Sequence, residues 1–357
     1  MKKIEIKKPF DAHVHFRSGK MLKNIIPYIA RFCRYAVAMG NLKEPIVNDW
    51  QVITYQQEIL DAAKENNCNN FEPIMTVMLT YAMTPEILRE SFEAGARVLK
   101  LIPAGTSTGA NDGVALWDLF RYYPVLAEAF DLGMIFSVHC ELNVEPRTDK
   151  KIHLVEQEAR GIPFIDRVVK DFPGLKIIFE HVSSKELCQY FLNLNELNVA
   201  ASITGHHPFL HYNQVCNESE RIIIKNPWLY FKPIAKFEDD IALVRGLMFS
   251  GHPRVFFGSD FAPHTPLNKI NFAAGIANFP EVYIPLLWEL FLNEFGDETR
   301  ALTRFEDFTS GNALDFYGLP NYGDTIVLQE EIWKVPAEIE NGVRTFYGNK
   351  KLNWKIV

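Results

Sequence analysis

Residues 71–103 read FEPIMTVMLTYAMTPEILRESFEAGARVLKLIP. Two apolar runs, FEPIMTVMLT (71–80) and ARVLKLIP (96–103), flank a segment with helix punctuation at both ends. Thr84 supplies an N-cap oxygen, Pro85 sits in the first turn where its missing N–H costs nothing, and Gly95 closes the helix. Apolar runs without clean alternation belong to strands buried on both faces, and such strands belong to parallel sheets covered by helices. The stretch reads as strand, helix, strand.

The same unit recurs along the chain. Further strand candidates are 4–16, 34–41, 134–140, 175–182, 199–204 and 254–260, giving eight in all. Between them, DWQVITYQQEILDAAKEN (49–66) repeats apolar residues at helical spacing, and VALWDLFRYYPVLAEAFDLG (114–133) and EDDIALVRGLMFSG (238–251) each end on a glycine. Eight such repeats predict a closed (β/α)8 TIM barrel. A doubly wound open sheet is the competitor, but neither G-x-G-x-x-G nor G-x-x-x-x-G-K-[ST] occurs to hold a nucleotide phosphate. One barrel domain over residues 1–357 is expected, with no β-sandwich appended, an irregular loop at 204–236 and an irregular tail from about 318.

Composition narrows the partners. A net charge of −7 without a basic stripe argues against nucleic acid, which needs clustered Lys and Arg. The five cysteines are scattered and unpaired by any C-x-x-C, so neither a disulfide framework nor a cysteine zinc site is expected. MKKIEIKKPF lacks the apolar core of a signal peptide, and no run reaches the roughly 18 apolar residues of a membrane span. The chain reads as soluble and cytoplasmic.

Chemistry in such a barrel gathers where the strands end. The first strand ends in His13-Val14-His15-Phe16-Arg17, the second in Asn41, the fifth in His139, the sixth in His181 and the eighth in Asp260. Lys100 lies inside the apolar run of the fourth. Each has an ordinary explanation: a satisfied polar tip for a histidine, a snorkelling lysine, a turn-capping aspartate. Six of them at one rim make a common purpose the better account. Residues i and i+2 of a strand share a face about 6–7 Å apart. His13 and His15 can therefore clasp one ion, and His139 and His181 on adjacent strands a second. Neutral imidazole with a carboxylate suits Zn²⁺. A lysine beside two cations is a charge conflict, which disappears if CO₂ converts the Lys100 amine to an anionic carbamate bridging both. His206 and His207 read as loop hydrogen-bonders, His153, His211 and His252 as surface residues, and Cys140 as core.

The words DAHVHFRSG, MGNL, VLKLIPAG, VHCE, FEHVSS, GSDFAPH and GNALDFYGLP, in order from residue 11 to 320, resemble the amidohydrolase superfamily and within it the type II dihydroorotases. The resemblance implies two Zn²⁺ per subunit, His13, His15 and Asp260 holding the more buried one, His139 and His181 the more exposed, and carboxylated Lys100 with a hydroxide bridging them. It implies that Arg17, Asn41 and His264 hold the substrate carboxylate, with His15, His139 and the backbone near Lys232 and Ala274 as further contacts. Ser107 and Thr108 take the place of a lid loop. The implied reaction is reversible cyclisation of N-carbamoyl-L-aspartate to L-dihydroorotate in pyrimidine synthesis, with Asp260 as acid and base, in a homodimer.

Departures from the pattern are local. Met39-Gly40-Asn41-Leu42 has glycine where proline is usual, which is expected to loosen the turn presenting Asn41. Ser107 replaces a threonine, Lys232 an apolar residue, and the stretch after His264 is shorter and lacks cysteines. Two other readings stay open: a different cyclic amidohydrolase, such as a hydantoinase, and a non-catalytic barrel kept for binding. Arg17, Asn41 and His264 speak against the first, and the intact ligand set against the second.

Overall fold

The structure is a computed structural model that describes residues 1–107, 110–148, 150–217 and 223–357. Eight parallel strands form one sheet: Phe10–Val14, Tyr35–Ala38, Glu72–Met78, Ala96–Leu101, Ile135–Val138, Lys176–Phe179, Val199–Ile203 and Val255–Phe257, each hydrogen-bonded to the next in sequence. The last returns to the first just beyond its own end. Asp260 N donates to His13 O at 2.9 Å and His15 N to Phe261 O at 2.9 Å, so the barrel closes through the residues that carry the candidate site.

The helices form for the reasons visible in the sequence. Thr84 Oγ1 accepts from Ile87 N and Pro85 opens helix Pro85–Glu93, while Asn48 caps Asp49–Glu65 by accepting from Gln51 N. Their apolar faces pack on the outside of the barrel in one large core. The segment 114–133 begins as a 3-10 turn, Leu116–Tyr122, and becomes α-helical only from Tyr123.

A second apolar cluster fills the barrel floor. Phe10, Val37, Val98, Ile178 and Phe256 face inward there, and helix Asn312–Tyr317 caps them from below, with Phe10 and Tyr317 ring centroids 4.9 Å apart. The word GNALDFYGLP is therefore a plug, and it leaves the opposite mouth for chemistry.

Two expectations change. The segment 4–16 is two strands, because Lys8-Pro9 interrupts it: Lys3–Lys7 leaves the barrel and pairs antiparallel with Thr325–Lys334. That strand in turn pairs with Lys351–Ile356, so the tail expected to be irregular builds a three-stranded antiparallel sheet. Alternate residues of the two outer strands, Lys3–Lys7 and Lys351–Ile356, are buried, the pattern of a sheet covered on one face. All five cysteines are free and buried, and among the described residues no helix is long and apolar enough to cross a membrane.

Candidate metal centre and active site

The first barrel strand points His13 and His15 into the mouth, where Asp260 meets them from the eighth. Asp260 Oδ1 lies 3.1 Å from His15 Nε2 and 3.6 Å from His13 Nε2. One donor atom from each of the three lies within 4.8 Å of the others, and all three side chains are buried. Opposite, His139 Nδ1 is 3.1 Å from His181 Nε2. The two groups adjoin, with His13 and His181 ring centroids 5.1 Å apart. Burial lowers the pKa of all four imidazoles below its ordinary value, and Lys100 adds to it, against the opposing pull of Glu180 on His13 and Glu141 on His139, so they stay neutral with a lone pair to offer.

Lys100 rises between Met78 and Ser137 on the adjoining strands, and its side chain is fully buried. Its Nζ has no hydrogen-bond partner among the described residues, and neither has His181 Nδ1. Burial lowers its pKa to about 8, although Glu180 and Asp260 act the other way. An unpaired ammonium here is costly, whereas a carbamate would turn the same position into an anionic ligand. Orphaned buried nitrogens and a neutral His and carboxylate donor set fit a pair of divalent cations.

Two carboxylates that carry no role in the sequence reading sit behind the histidines. Glu180 Oε2 accepts from His13 Nδ1 at 3.0 Å and from Ser202 Oγ at 2.6 Å, and its Oε1 accepts from Ser137 Oγ at 2.6 Å. Burial opposes its ionisation, but Lys100 and His13 hold its pKa at about 2. Glu141 Oε2 lies 2.7 Å from His139 Nε2. Lys232 Nζ then contacts both Glu141 oxygens at 3.2 Å and Gln157 Oε1 at 2.6 Å; burial opposes ionisation of that carboxyl, but Lys232, His139 and Lys236 together hold it at about 2. Each ring nitrogen so held donates to a carboxylate, leaving the other nitrogen as the acceptor that faces the mouth. Both acids stood inside quoted words, FEHVSS and VHCE, but only spatial contact reveals what they hold.

The mouth is a cavity whose lining includes His13, His15, Arg17, Asn41, Lys100, Ser107, His139, His181, Lys232, Asp260, Ala274 and Gly275. Arg17 Nη2 lies 2.9 Å from His264 Nε2 and Arg17 Nε donates to Pro263 O at 3.0 Å. His264 borders the adjoining groove with Arg17 and Asn41, and its Nε2 also lies 2.9 Å from Ala274 O. Asn41 is within hydrogen-bonding reach of His15. Its turn is not loose: Gly40 O accepts from Leu42 N and Ile46 N, both at 2.9 Å, and a Cβ at Gly40 would meet Ile46 Cβ at 3.1 Å. Lys232 lines the cavity, and its side-chain charge has a built partner in Glu141. Thr108 lies outside the described residues.

Arg17, His181 and Asp260 all have left-handed backbone, with φ of 60°, 41° and 48°. Non-glycine residues pay about 1–3 kcal/mol for this, and such strain collects where function needs a particular direction. Here His181 N is held by Ser202 Oγ at 2.8 Å and Asp260 N by His13 O at 2.9 Å.

No family model matches the chain. Among curated proteins it is 37% identical over 347 residues to a dihydroorotase of Neisseria gonorrhoeae, covering 96% of this chain and 94% of that one. Another, from Shewanella sediminis, is 33% identical over 100% of this chain and 99% of its own. The chain belongs to the dihydroorotase family. Solved dihydroorotases agree: that of Saccharomyces cerevisiae in complex with 5-fluoroorotic acid superposes with a TM-score of 0.88 at 27% identity, covering 100% of this chain and 99% of that one. That of Campylobacter jejuni gives 0.85 at 31%, covering 99% and 97%. An L-hydantoinase of Arthrobacter aurescens, at 14% identity and a TM-score of 0.76 over 99% and 83%, shares the fold. The chain is thus a cyclic amide hydrolase of the dihydroorotase family on an amidohydrolase barrel.

Proposed function

We propose that this protein interconverts N-carbamoyl-L-aspartate and L-dihydroorotate with two zinc ions, in the cytoplasm and as a homodimer. The observation that carries the reading is the convergence of His13, His15, Asp260, His139 and His181 around the partnerless Lys100, with Arg17 and His264 beside them. His13, His15 and Asp260 would hold one ion, His139 and His181 the other, and carboxylated Lys100 both. Bound there, the ions supply Lewis acidity and a water acidified to near-neutral pKa.

The chain's own groups account for the remainder. Asp260 takes the proton of the attacking water and returns it to the ring nitrogen as the amide bond breaks; in the synthetic direction the two transfers run in reverse. Burial raises its pKa against His13, His139, Lys100 and Arg17, which makes that carboxylate a better base than a surface one. Arg17 offers a planar fork to the carboxylate of the substrate, with His264 beside it at the same end. Asn41 and the main chain at Ala274 complete that end, and Ser107 lines the mouth.

The test is turnover of metal-replete protein with N-carbamoyl-L-aspartate and with L-dihydroorotate, each product followed in its own direction. Turnover of a hydantoin without a carboxylate at a comparable kcat/KM would transfer the reading to the hydantoinases, because Arg17 and His264 would then have nothing to bind.

A further inference from the structure

We propose that Lys269 is a positioning residue for the carboxylate end of the substrate, setting the Ala273–Gly275 main chain through three carbonyl hydrogen bonds; this rests on the function proposed above. The lysine belongs to a short helix, Pro266–Ile270, and by sequence it is an ordinary polar loop residue. In the fold it is 4% exposed. Its Nζ donates to Tyr230 O at 2.8 Å, Ala273 O at 3.0 Å and Gly275 O at 2.6 Å, which uses all three of its protons.

Three carbonyls converging on one point repel each other unless a cation sits between them. Without the ammonium, the turn carrying Ala273 and Gly275 has to rotate away from Tyr230. In a trans peptide the C=O and N–H point in opposite directions. The Ala273 carbonyl shares its peptide plane with Ala274 N–H, so Lys269 directs that N–H away from itself. Ala274 and Gly275 line the cavity and Lys269 does not. The ammonium therefore orients the Ala274 peptide dipole with its positive end toward the cavity side, and polarises it in the direction an anion requires.

The turn has no slack to do otherwise. Gly275 has a φ of +148°, and a Cβ there would meet Ala262 O at 2.5 Å, Ala262 Cβ at 2.8 Å and His264 Cδ2 at 2.9 Å. Gly275 N also donates to Tyr230 O at 3.1 Å. A glycine pressed on His264 and an ammonium pulling from behind thus place one peptide plane beside Arg17. Burying the charge is unfavourable in itself, burial and then Arg17 lowering the lysine's pKa to about 7, and a loop with no task would not need it.

The experiment compares Lys269→Met and Lys269→Arg with the wild type as metal-replete enzymes. Metal content, KM and kcat for N-carbamoyl-L-aspartate, and equilibrium binding of L-dihydroorotate are measured. Lys269→Met is expected to keep both ions, to raise KM and weaken dihydroorotate binding by about 10- to 100-fold, and to change kcat much less. Lys269→Arg keeps the charge but cannot gather three carbonyls on one atom, and is expected to fall between. Wild-type KM in a soluble Lys269→Met overturns the proposal. If that variant does not fold, wild-type KM in Lys269→Arg overturns it instead. A kcat loss with KM unchanged assigns Lys269 to another role and also refutes it. Failure of the wild type itself to turn over with both ions bound refutes the proposed function and is seen before any variant is made.

Discussion

Replacing Glu180 with glutamine keeps its volume and removes one charge from behind His13. The carboxylate accepts three hydrogen bonds, from His13 Nδ1 at 3.0 Å and from Ser202 Oγ and Ser137 Oγ at 2.6 Å each, and it is 1% exposed. An amide has one accepting oxygen and one donating nitrogen. If the oxygen faces His13, the tautomer survives but a charge-assisted bond becomes a neutral one, losing roughly half its strength, on the order of 1 kcal/mol. If the nitrogen faces His13, Nδ1 must accept and the proton moves to Nε2, the nitrogen beside Asp260. His13 then has no lone pair for a metal. The first outcome corresponds to about 5-fold in metal affinity, and the second to the range of about 10- to 100-fold per supporting carboxylate, or about 1.4–2.7 kcal/mol. Competition of apo-protein with a chromophoric chelator for zinc reads this directly, and the weakened ion should be the one held by His13, His15 and Asp260. Ser202→Ala serves as a comparison, because it removes one of Glu180's three hydrogen bonds and the hydroxyl that accepts from His181 N while leaving the charge on Glu180. Glu180→Gln with both ions at wild-type affinity, or with the His139 and His181 ion lost first, would refute the reasoning.

Lys100→Ala is expected to lose at least one ion and nearly all turnover; two tightly bound ions by elemental analysis at full rate would end the carbamate reading. Arg17→Lys keeps the charge but not the fork, so KM for N-carbamoyl-L-aspartate should rise by about 10-fold or more while metal content stays unchanged. His207 titrates away from the metal centre. Its Nδ1 accepts from Thr204 Oγ1 at 2.8 Å and its Nε2 donates to Pro233 O at 3.1 Å, and burial holds its pKa at about 3. The folded value lies below the ordinary 6.5, so the unfolded chain binds the proton more tightly. The stability it contributes is complete above pH 6.5 and is lost as pH falls toward 3. The stability gap between wild type and His207→Gln in urea melts should therefore shrink from pH 7 to pH 4, and a gap constant across that range would refute the assignment.

The barrel was legible because its strands are buried on both faces and each ends in a residue too polar for the floor. What stayed hidden depended on distance along the chain. Lys3–Lys7 alternates as a one-sided strand does, yet it finds its partner more than 300 residues away, from Lys3 opposite Gln329 to Lys7 opposite Thr325. The convergence of His13, His15 and Asp260 could be read from strand ends, but the groups behind the histidines could not. Glu141, Glu180 and Lys269 look like surface charges in sequence, and each is at most 4% exposed.

That difference bears on how the site is built. A histidine at a strand end needs only the right strand, whereas a neutral, aimed histidine needs a buried anion behind it, and that anion needs its own compensation. Glu141 obtains it from Lys232, at a position the family resemblance makes apolar. The lysine therefore belongs to the charge balance behind His139. Glu180 obtains its compensation from Ser137, Ser202 and the charge of Lys100. Converting Lys100 to a carbamate would remove that cation, and two divalent ions would replace it many times over. On the proposed loading the two cations would thus take over from the Lys100 ammonium the work of keeping Glu180 ionised behind His13.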